Sequence, residues 1–184
     1  MSAKTKEMLF SRSDIARRVQ ELADEISRDY AGEEVLIIGV LKGAFIFMAD
    51  LVRAMSVSCQ TDFIRAASYG AGSESSGDIV ITKDVDLEVR GRHVLIIEDI
   101  VDTGLTLRHI MDTLKLRQPK SIKVCAFLDK RKRRKVSFEA DYVGFTMDDG
   151  FIVGYGLDFG EQYRFLPDLY VIPTPENGKK EGDQ

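Results

Sequence analysis

The sequence predicts an α/β domain with a doubly wound, mainly parallel sheet flanked by helices. Two uninterrupted apolar runs, residues 35–40 and 94–97, are typical of strands buried on both faces, as parallel sheets require. A helical pattern follows each run, so that strands and helices alternate along the chain. The buried runs and this alternation together indicate the fold class.

The spacing of apolar residues defines the first two helices. Residues 14–28 place an apolar side chain every three or four positions, and Ser13 before them is a natural N-cap. Residues 44–55 repeat apolar side chains at i, i+3, i+4, i+7, i+8 and i+11, directly after the first buried run. Each segment is therefore predicted to be a helix with one apolar face.

The remaining segments supply further strands, one arm and one helix. Residues 58–68 are predicted to form a strand, 69–78 a mobile Gly/Ser-rich loop, and 78–85 a β-ribbon arm. The third helix follows residues 103–106, and its core-facing residues are Leu107, Ile110, Met111 and Leu114. The later predicted strands are 122–128, 142–145, 151–153 and 169–172.

Size and composition restrict the class of protein. The 184 residues, 44% hydrophobic and 30% charged, fit one soluble globular domain. A net charge of −4 and a pI near 5.3 argue against a general nucleic-acid binder. The sequence contains no apolar run of membrane-spanning length, and residues 1–7 do not resemble a signal peptide. We therefore expect no membrane partner.

Cysteine usage and the end of the chain complete this general description. Cys59 and Cys125 both lie in apolar runs and are predicted to be buried free thiols, as in a reducing compartment. A cytoplasmic location is therefore expected. The polar segment 177–184 is predicted to be a disordered tail.

A cluster of carboxylates follows the second buried run. Glu98 and Asp99 come directly after residues 94–97, and Asp102 precedes a short Thr/Gly loop at 103–106. Open α/β sheets bind ligands at the carboxyl ends of such strands. The loop would direct backbone N–H groups and the helix dipole at an anion, and we expect this anion to be a phosphate. Glu98 and Asp99 suit hydroxyl groups or hydrated Mg²⁺, and Asp102 is placed to take a proton.

A structural explanation competes with this functional one, because acidic residues often end strands and cap helices. Three carboxylates and a phosphate-type loop rarely coincide within so few residues, which favours the functional explanation. The segment resembles the signature of the type I phosphoribosyltransferases that binds 5-phosphoribosyl 1-diphosphate (PRPP). In that signature two acidic residues follow an apolar strand and precede a D-[TS]-G-x-T loop. The resemblance implies that PRPP contacts Glu98, Asp99, Asp102, Thr103, Gly104, Leu105 and Thr106.

Two further segments extend the resemblance to the hypoxanthine–guanine phosphoribosyltransferases. Leu41-Lys42-Gly43 follows the first buried run, where that family carries an L-K-G that contacts pyrophosphate and whose first peptide bond can be cis. Taken alone, a lysine at a strand–helix turn would be unremarkable.

Residues 151–158 (FIVGYGLD) contain G-Y-G, but Phe159 excludes a dinucleotide-binding fingerprint. They resemble F-V-V-G-Y-[AG]-[LI]-D of the 6-oxopurine enzymes.

The resemblance also implies roles near the purine and the pyrophosphate. Phe151 would stack on the purine, backbone groups near Ile152 would read its remaining edge, and Asp158 would help hold metal. Arg164 would lie near pyrophosphate. In relatives a Ser-Tyr pair, here Ser68 and Tyr69, closes over the reacting centre.

The basic run 130–135 (KRKRRK) has three possible explanations. It could be a solvated loop or a nucleic-acid patch, although the acidic remainder of the chain disfavours the patch. The resemblance implies that Lys130 bonds the purine O6, while Arg131 to Lys135 stay mostly solvent-facing or intersubunit charges.

The resemblance implies a type I phosphoribosyltransferase fold in a single domain, residues 1–176, with a small hood from the N- and C-terminal segments. The implied activity is Mg²⁺-dependent purine salvage, in which hypoxanthine or guanine and PRPP give IMP or GMP and pyrophosphate. A homodimer or homotetramer is expected through residues 44–55. Two alternatives remain: another acceptor base, such as xanthine or uracil, and a PRPP-sensing regulator that binds nucleic acid through 130–135.

Overall fold

The computed structural model describes residues 6–68, 79–148 and 150–172. Its elements in chain order are β1 (Glu7–Phe10), α1 (Arg12–Asp29), β2 (Val35–Val40), α2 (Phe45–Ala54), β3 (Cys59–Ser68), β4 (Ile79–Lys83), β5 (His93–Val101), α3 (Leu105–Lys115), β6 (Ser121–Lys130), β7 (Tyr142–Met147), β8 (Phe151–Val153) and β9 (Leu169–Ile172). A 3₁₀ turn, Arg131–Arg133, follows β6. The predicted tail at 177–184 and the whole of the predicted mobile loop at 69–78 lie outside the described residues.

The main sheet has six strands in the order β4-β3-β2-β5-β6-β7. Only β4, at the edge, runs antiparallel, and it forms the predicted ribbon with β3. In the centre, Ile37 of β2 lies opposite Thr61 of β3 and Leu95 of β5, in parallel register. All six residues of β2 are buried, because neighbouring strands and both helical layers cover it. The prediction of a doubly wound, mainly parallel sheet is confirmed.

Two hydrophobic clusters cover the two faces of this sheet. Alternate residues of each strand point to opposite faces, so Ile37 and Leu36 belong to different clusters. One cluster contains the apolar faces of α1 and α2, with Phe47 fully buried. The other contains the apolar face of α3, with Ile110 fully buried. The sheet is therefore a rigid layer whose strand ends can position side chains.

A second, three-stranded antiparallel sheet, β1-β9-β8, forms the predicted hood. Sequence patterns did not predict β1, whose Glu7 pairs with Val171 of β9. The ring of Phe10 stacks on Phe145 of β7 at a centroid distance of 4.0 Å, which joins the hood to the main sheet. Through β8, this hood carries Phe151.

The N-cap of α1 is Ser11, and the prediction of Ser13 was wrong. The Ser11 hydroxyl accepts a hydrogen bond from the backbone N–H of Asp14 (3.2 Å), and the Asp14 carboxylate accepts one from the Ser11 N–H (3.3 Å). Such a capping box needs a side-chain acceptor three residues after the cap. Ser13 would have Ala16 there, which has no acceptor.

Two further expectations needed correction. The strand β5 continues to Val101, so Glu98 and Asp99 lie within it rather than after it. Pairing with β6 extends the strand, with Val101 opposite Asp129.

Cys59 is only partly buried, because it begins β3 near the surface. Cys125 is buried as expected, and both thiols are free. No helix in the described ranges combines the length and apolarity needed to cross a membrane.

Candidate active site

A cleft of about 300 Å³ opens at the carboxyl ends of β2 and β5. From these two adjacent strands the chain winds in opposite directions, which is the topological switch point where open α/β sheets bind ligands. The residues that line it are Val40, Leu41, Lys42, Gly43, Ala66, Glu98, Asp99, Ile100, Val101, Asp102, Thr103, Gly104, Thr106, Leu107, Asp158 and Arg164. The structure thus brings together nearly all of the residues predicted to bind PRPP.

Close backbone approach on one side of the cleft requires glycine. A Cβ atom on Gly43 would lie 1.6 Å from Asp99 Oδ2, and one on Gly156 would lie 2.2 Å from the Gly43 carbonyl oxygen. Substitution at either position would displace the neighbouring segment. The Leu41–Lys42 peptide bond is cis. The Leu41-Lys42-Gly43 turn is therefore packed directly against the Asp99 carboxylate of β5.

Glu98 and Asp99 form a carboxylate pair in the cleft. Burial raises the pKa of Glu98 well above its usual value, and the adjacent Asp99 charge raises it further. Burial also raises the pKa of Asp99, although its Oδ1 accepts a hydrogen bond from the Ile100 N–H (2.9 Å). Two carboxyl groups in such a place favour a bound cation or hydroxyl donors.

The described ranges contain no group of three or more His, Cys, Asp or Glu side chains placed to hold a metal ion together. Glu98, Asp99 and Asp158 therefore do not form one ligand set. Mg²⁺ is commonly bound by one or two carboxylates together with substrate phosphates. The oxygen-donor pair of β5 fits that mode of binding rather than a closed protein cage.

The loop after Asp102 leads into the N-terminus of α3. Gly104 has φ +79°, a left-handed conformation that favours glycine, and its carbonyl accepts the first helical bond from Arg108 N–H (2.9 Å). The first turn of α3 contains no acidic residue to neutralise the helix dipole. Leu105 does not line the cleft, and its N–H lies 3.4 Å from Thr103 Oγ1. The loop is suited to an anionic group.

A second cavity of about 180 Å³ adjoins the first. Its lining includes Lys130, Phe151 and Ile152, the three residues predicted to contact a purine. Lys130 is 6% exposed, and its Nζ donates a hydrogen bond to the Gly150 carbonyl oxygen (2.6 Å). The Phe151 ring, 40% exposed, meets Phe159 edge-on at 5.3 Å. An aromatic face and an ammonium group therefore share one small cavity.

Asp102 lines both cavities. Its Oδ2 lies 3.2 Å from the Arg133 guanidinium, and its Oδ1 is buried without a hydrogen-bond partner in the part of the chain that is described. The sequence offered no obvious partner charge for Asp102. The 3₁₀ turn supplies Arg133, because it folds back over the loop.

Arg134 is the exception to the expectation that Arg131 to Lys135 mostly face solvent. Its side chain is 14% exposed and forms an ion pair with Asp129. It also donates to the backbone carbonyls of Asp102 (3.2 Å) and Phe138 (2.5 Å). The other cations of the run, Arg131, Lys132, Arg133 and Lys135, are exposed. No local sequence feature distinguishes Arg134 from them.

A charged cluster closes the far side of the cleft. Arg164 pairs with Asp158 (2.8 Å), and Lys42 Nζ pairs with Glu161 Oε2 (2.9 Å). Glu161 had no predicted role; its position three residues before Arg164 was the only signal. Ser68 ends β3, and Tyr69 lies outside the described residues.

Comparison with known proteins agrees with this geometry. Residues 6–160 match the phosphoribosyl transferase domain family. The hypoxanthine-guanine phosphoribosyltransferase of Aquifex aeolicus (strain VF5) is 51% identical over 170 residues, 92% of this chain and 96% of that protein. The hypoxanthine phosphoribosyltransferase of Escherichia coli (strain K12) is 43% identical over 89% of this chain and 93% of its own length.

A solved structure supports the same assignment. The crystal structure of a hypoxanthine-guanine phosphoribosyltransferase from Bacillus anthracis has a TM-score of 0.88 and 45% identity, covering 91% of this chain and 99% of that chain. The family match spans most of the chain, and the relatives align over nearly their whole lengths. The chain belongs to the phosphoribosyl transferase domain family.

Proposed function

We propose that this protein transfers the 5-phosphoribosyl group from PRPP to hypoxanthine, and to guanine, giving IMP or GMP and pyrophosphate. The observation that carries the proposal is the position of Asp102 between the two cavities. On one side lies a phosphate-type loop, and on the other an aromatic face with a lysine. The names of the similar proteins support the same reaction.

In this reaction the first cavity would hold PRPP. Backbone N–H groups of residues 102–106 and the α3 dipole would bind the 5′-phosphate. Lys42 and Arg164 would bind the pyrophosphate, and the Glu98–Asp99 pair would accept hydrogen bonds from the ribose hydroxyls. Holding both ends of PRPP aligns its reacting carbon with the purine and removes much of the entropic cost.

Mg²⁺ fits the hard oxygen donors of Glu98 and Asp99, and Asp158 would help hold a second ion. When bound, Mg²⁺ would neutralise charge that develops on the leaving pyrophosphate. Burial raises the pKa of both β5 carboxyl groups and so disfavours their ionised forms. A cation bound beside them would offset this effect and favour the ionised forms. These residues would orient the substrate and would form no covalent bond with it.

The second cavity would hold the purine. Phe151 would stack on the ring, Lys130 would donate to O6, and backbone near Ile152 would contact the remaining edge. Asp102 would share the N7 proton of the purine and raise the nucleophilicity of N9.

The two free thiols fit a protein of the reducing cytoplasm.

Initial rates with PRPP, Mg²⁺ and each of hypoxanthine, guanine, xanthine, adenine and uracil test this proposal. We expect rapid IMP and GMP formation and very slow reaction with adenine and uracil. A clear preference for xanthine or uracil would overturn the acceptor assignment. Negligible turnover with every base, together with a salt-sensitive gel shift on nucleic acid, would indicate a regulator instead.

A further inference from the structure

The carboxylate of Glu161 contacts both cations that the proposed function assigns to pyrophosphate. Its Oε2 lies 2.9 Å from Lys42 Nζ and 3.5 Å from Arg164 Nη2. Lys42 belongs to the turn after β2, and Arg164 lies 122 positions later in the sequence. One carboxylate oxygen therefore bridges two cations from distant parts of the chain.

The backbone around Glu161 fixes this arrangement. Glu161 has φ +65°, a left-handed conformation that a non-glycine residue adopts at a cost. Its N–H donates to Asp158 Oδ2 (2.8 Å), while Arg164 pairs with the other oxygen of Asp158 (2.8 Å). The Glu161 side chain itself is 64% exposed. A turn held on Asp158 therefore presents an exposed carboxylate to the two cations.

An anion bound by Lys42 and Arg164 would meet this carboxylate. A lysine ammonium has three donors and could contact two anions at once, but the two anions would then lie within a few ångströms of each other. Like charges at that separation repel, and each weakens the other's attraction to the shared cations. The Glu161 side chain is exposed and paired with Lys42, so an ordinary ionised carboxylate faces the bound anion at neutral pH and the repulsion persists.

We propose that the Glu161 carboxylate competes with pyrophosphate for Lys42 and Arg164. This competition weakens pyrophosphate binding and hastens pyrophosphate release after each turnover. The inference rests on the proposed function, because that function places pyrophosphate on Lys42 and Arg164. Glu161 acts through these two cations and is a positioning residue, not a catalytic one. A purely structural Glu161 would instead hold the cations in place and strengthen pyrophosphate binding.

The test compares Glu161→Gln with the wild type by titration calorimetry, using inorganic pyrophosphate with Mg²⁺ as the probe. The glutamine keeps the size and hydrogen-bonding capacity of the side chain but removes the charge. Exposed ion pairs contribute modestly, so we expect pyrophosphate to bind about three- to tenfold more tightly to the variant. A misfolded variant would not gain affinity.

Glu21→Gln is the matched control, because Glu21 also forms an exposed ion pair (Arg18, 2.7 Å) but lies on α1 outside both cavities. It changes the net charge equally and should leave pyrophosphate affinity at the wild-type value. A gain of the same size in this control would attribute the effect to long-range charge and overturn the inference.

Steady-state kinetics give a second measurement. Pyrophosphate should inhibit Glu161→Gln at about three- to tenfold lower concentration than the wild type, and dissociation followed by rapid mixing should slow by a similar factor. If the wild type binds pyrophosphate normally and the variant binds it equally or more weakly, this inference is contradicted and the proposed function is not. Absence of both pyrophosphate binding and nucleotide synthesis in the wild type would contradict the proposed function as well.

Discussion

At the scale of single residues, Asp102 has the most direct consequence for turnover. It lines both cavities, and its Oδ1 lies buried without a partner among the described residues. We expect Asp102→Asn to keep PRPP affinity but to lower kcat about 10²–10⁴-fold, the usual loss on removing a general base. Calorimetry and initial rates measure the two effects separately. Activity within threefold of the wild type would exclude this role.

Lys130 is expected to select 6-oxopurines. Its buried ammonium lines the second cavity, whereas Lys132 is exposed and pairs with Asp148 (2.7 Å). Lys130→Ala should lose about 2–3 kcal/mol of transition-state binding for hypoxanthine, as for a hydrogen bond from a charged donor. Measurement of kcat/KM in Lys130→Ala and Lys132→Ala compares the two positions. Equal, near-wild-type values would show that Lys130 belongs to the solvated basic run.

Residues next to a recognisable pattern could be predicted, and residues defined only by folding could not. Glu98 was predicted because it follows an apolar run in sequence, and Lys42 because Leu41-Lys42-Gly43 resembles a family motif at the corresponding turn. Arg134 was not, because its burial depends on a turn that folds over the 102–104 loop, and Arg131 looks equivalent to it in sequence. Glu161 likewise acquires its partner Lys42 only in the folded chain.

At the scale of elements, the 3₁₀ turn after β6 supports the phosphate-type loop. Arg134 pairs with Asp129, which is 3% exposed, and donates to the Asp102 carbonyl. Arg134→Met should destabilise the fold by about 3–5 kcal/mol, because it leaves a buried charge without its main partner. Urea unfolding measures this loss. The double variant Asp129→Leu/Arg134→Met should recover part of it, and strict additivity would contradict the coupling.

Asp62 connects β3 to the segment after β4 and should make stability pH-dependent. Its carboxylate accepts hydrogen bonds from the N–H groups of Asp86 (2.7 Å) and Leu87 (2.9 Å). Burial alone would raise the pKa of Asp62, but three backbone donors and the Lys83 ammonium lower it.

A lowered folded-state pKa stabilises the fold above the unfolded pKa of about 4, and that contribution is lost as the pH falls through the folded value. Asp62→Asn should therefore cost about 1.5–3 kcal/mol at pH 7 and less at pH 3. Urea unfolding at several pH values tests this, and equal losses at both ends of the range would contradict it.

Elements with a local apolar pattern were predicted to within a few residues, and even the short strand β9 (Leu169–Ile172) has its predicted bounds. The bounds predicted for β2 agree with the structure because all of its residues are buried and apolar. The strand β1 has four residues and pairs with β9, more than 150 positions away. Such a strand has no local periodicity, so its existence depends on a partner that only the complete fold brings near.

At the scale of the whole molecule, two layers from different parts of the chain form the candidate site. The main sheet supplies the carboxylates and the phosphate-type loop, while the hood supplies Phe151. Asp102 of the loop and Phe151 of the hood line one cavity. Any contact that shifts the hood against the sheet would therefore change the shape of this second cavity.

Assembly is the last expectation, and it depends on the surface near Lys42. Phe45 begins α2 and is 43% exposed, and its N–H donates to the Lys42 carbonyl (3.3 Å). An exposed aromatic residue at a helix start suits an interface, and a neighbouring subunit there would support the Leu41-Lys42-Gly43 turn. We expect a homodimer or homotetramer at micromolar concentration by sedimentation velocity, and Phe45→Glu should shift the protein towards monomer.

Because the Leu41-Lys42-Gly43 turn then loses its support, pyrophosphate affinity should fall as the monomer fraction of Phe45→Glu rises. Leu116→Glu, at the far end of α3 and 84% exposed, is the matched control and should change neither property. A fully active wild-type monomer would exclude any role of assembly in the site.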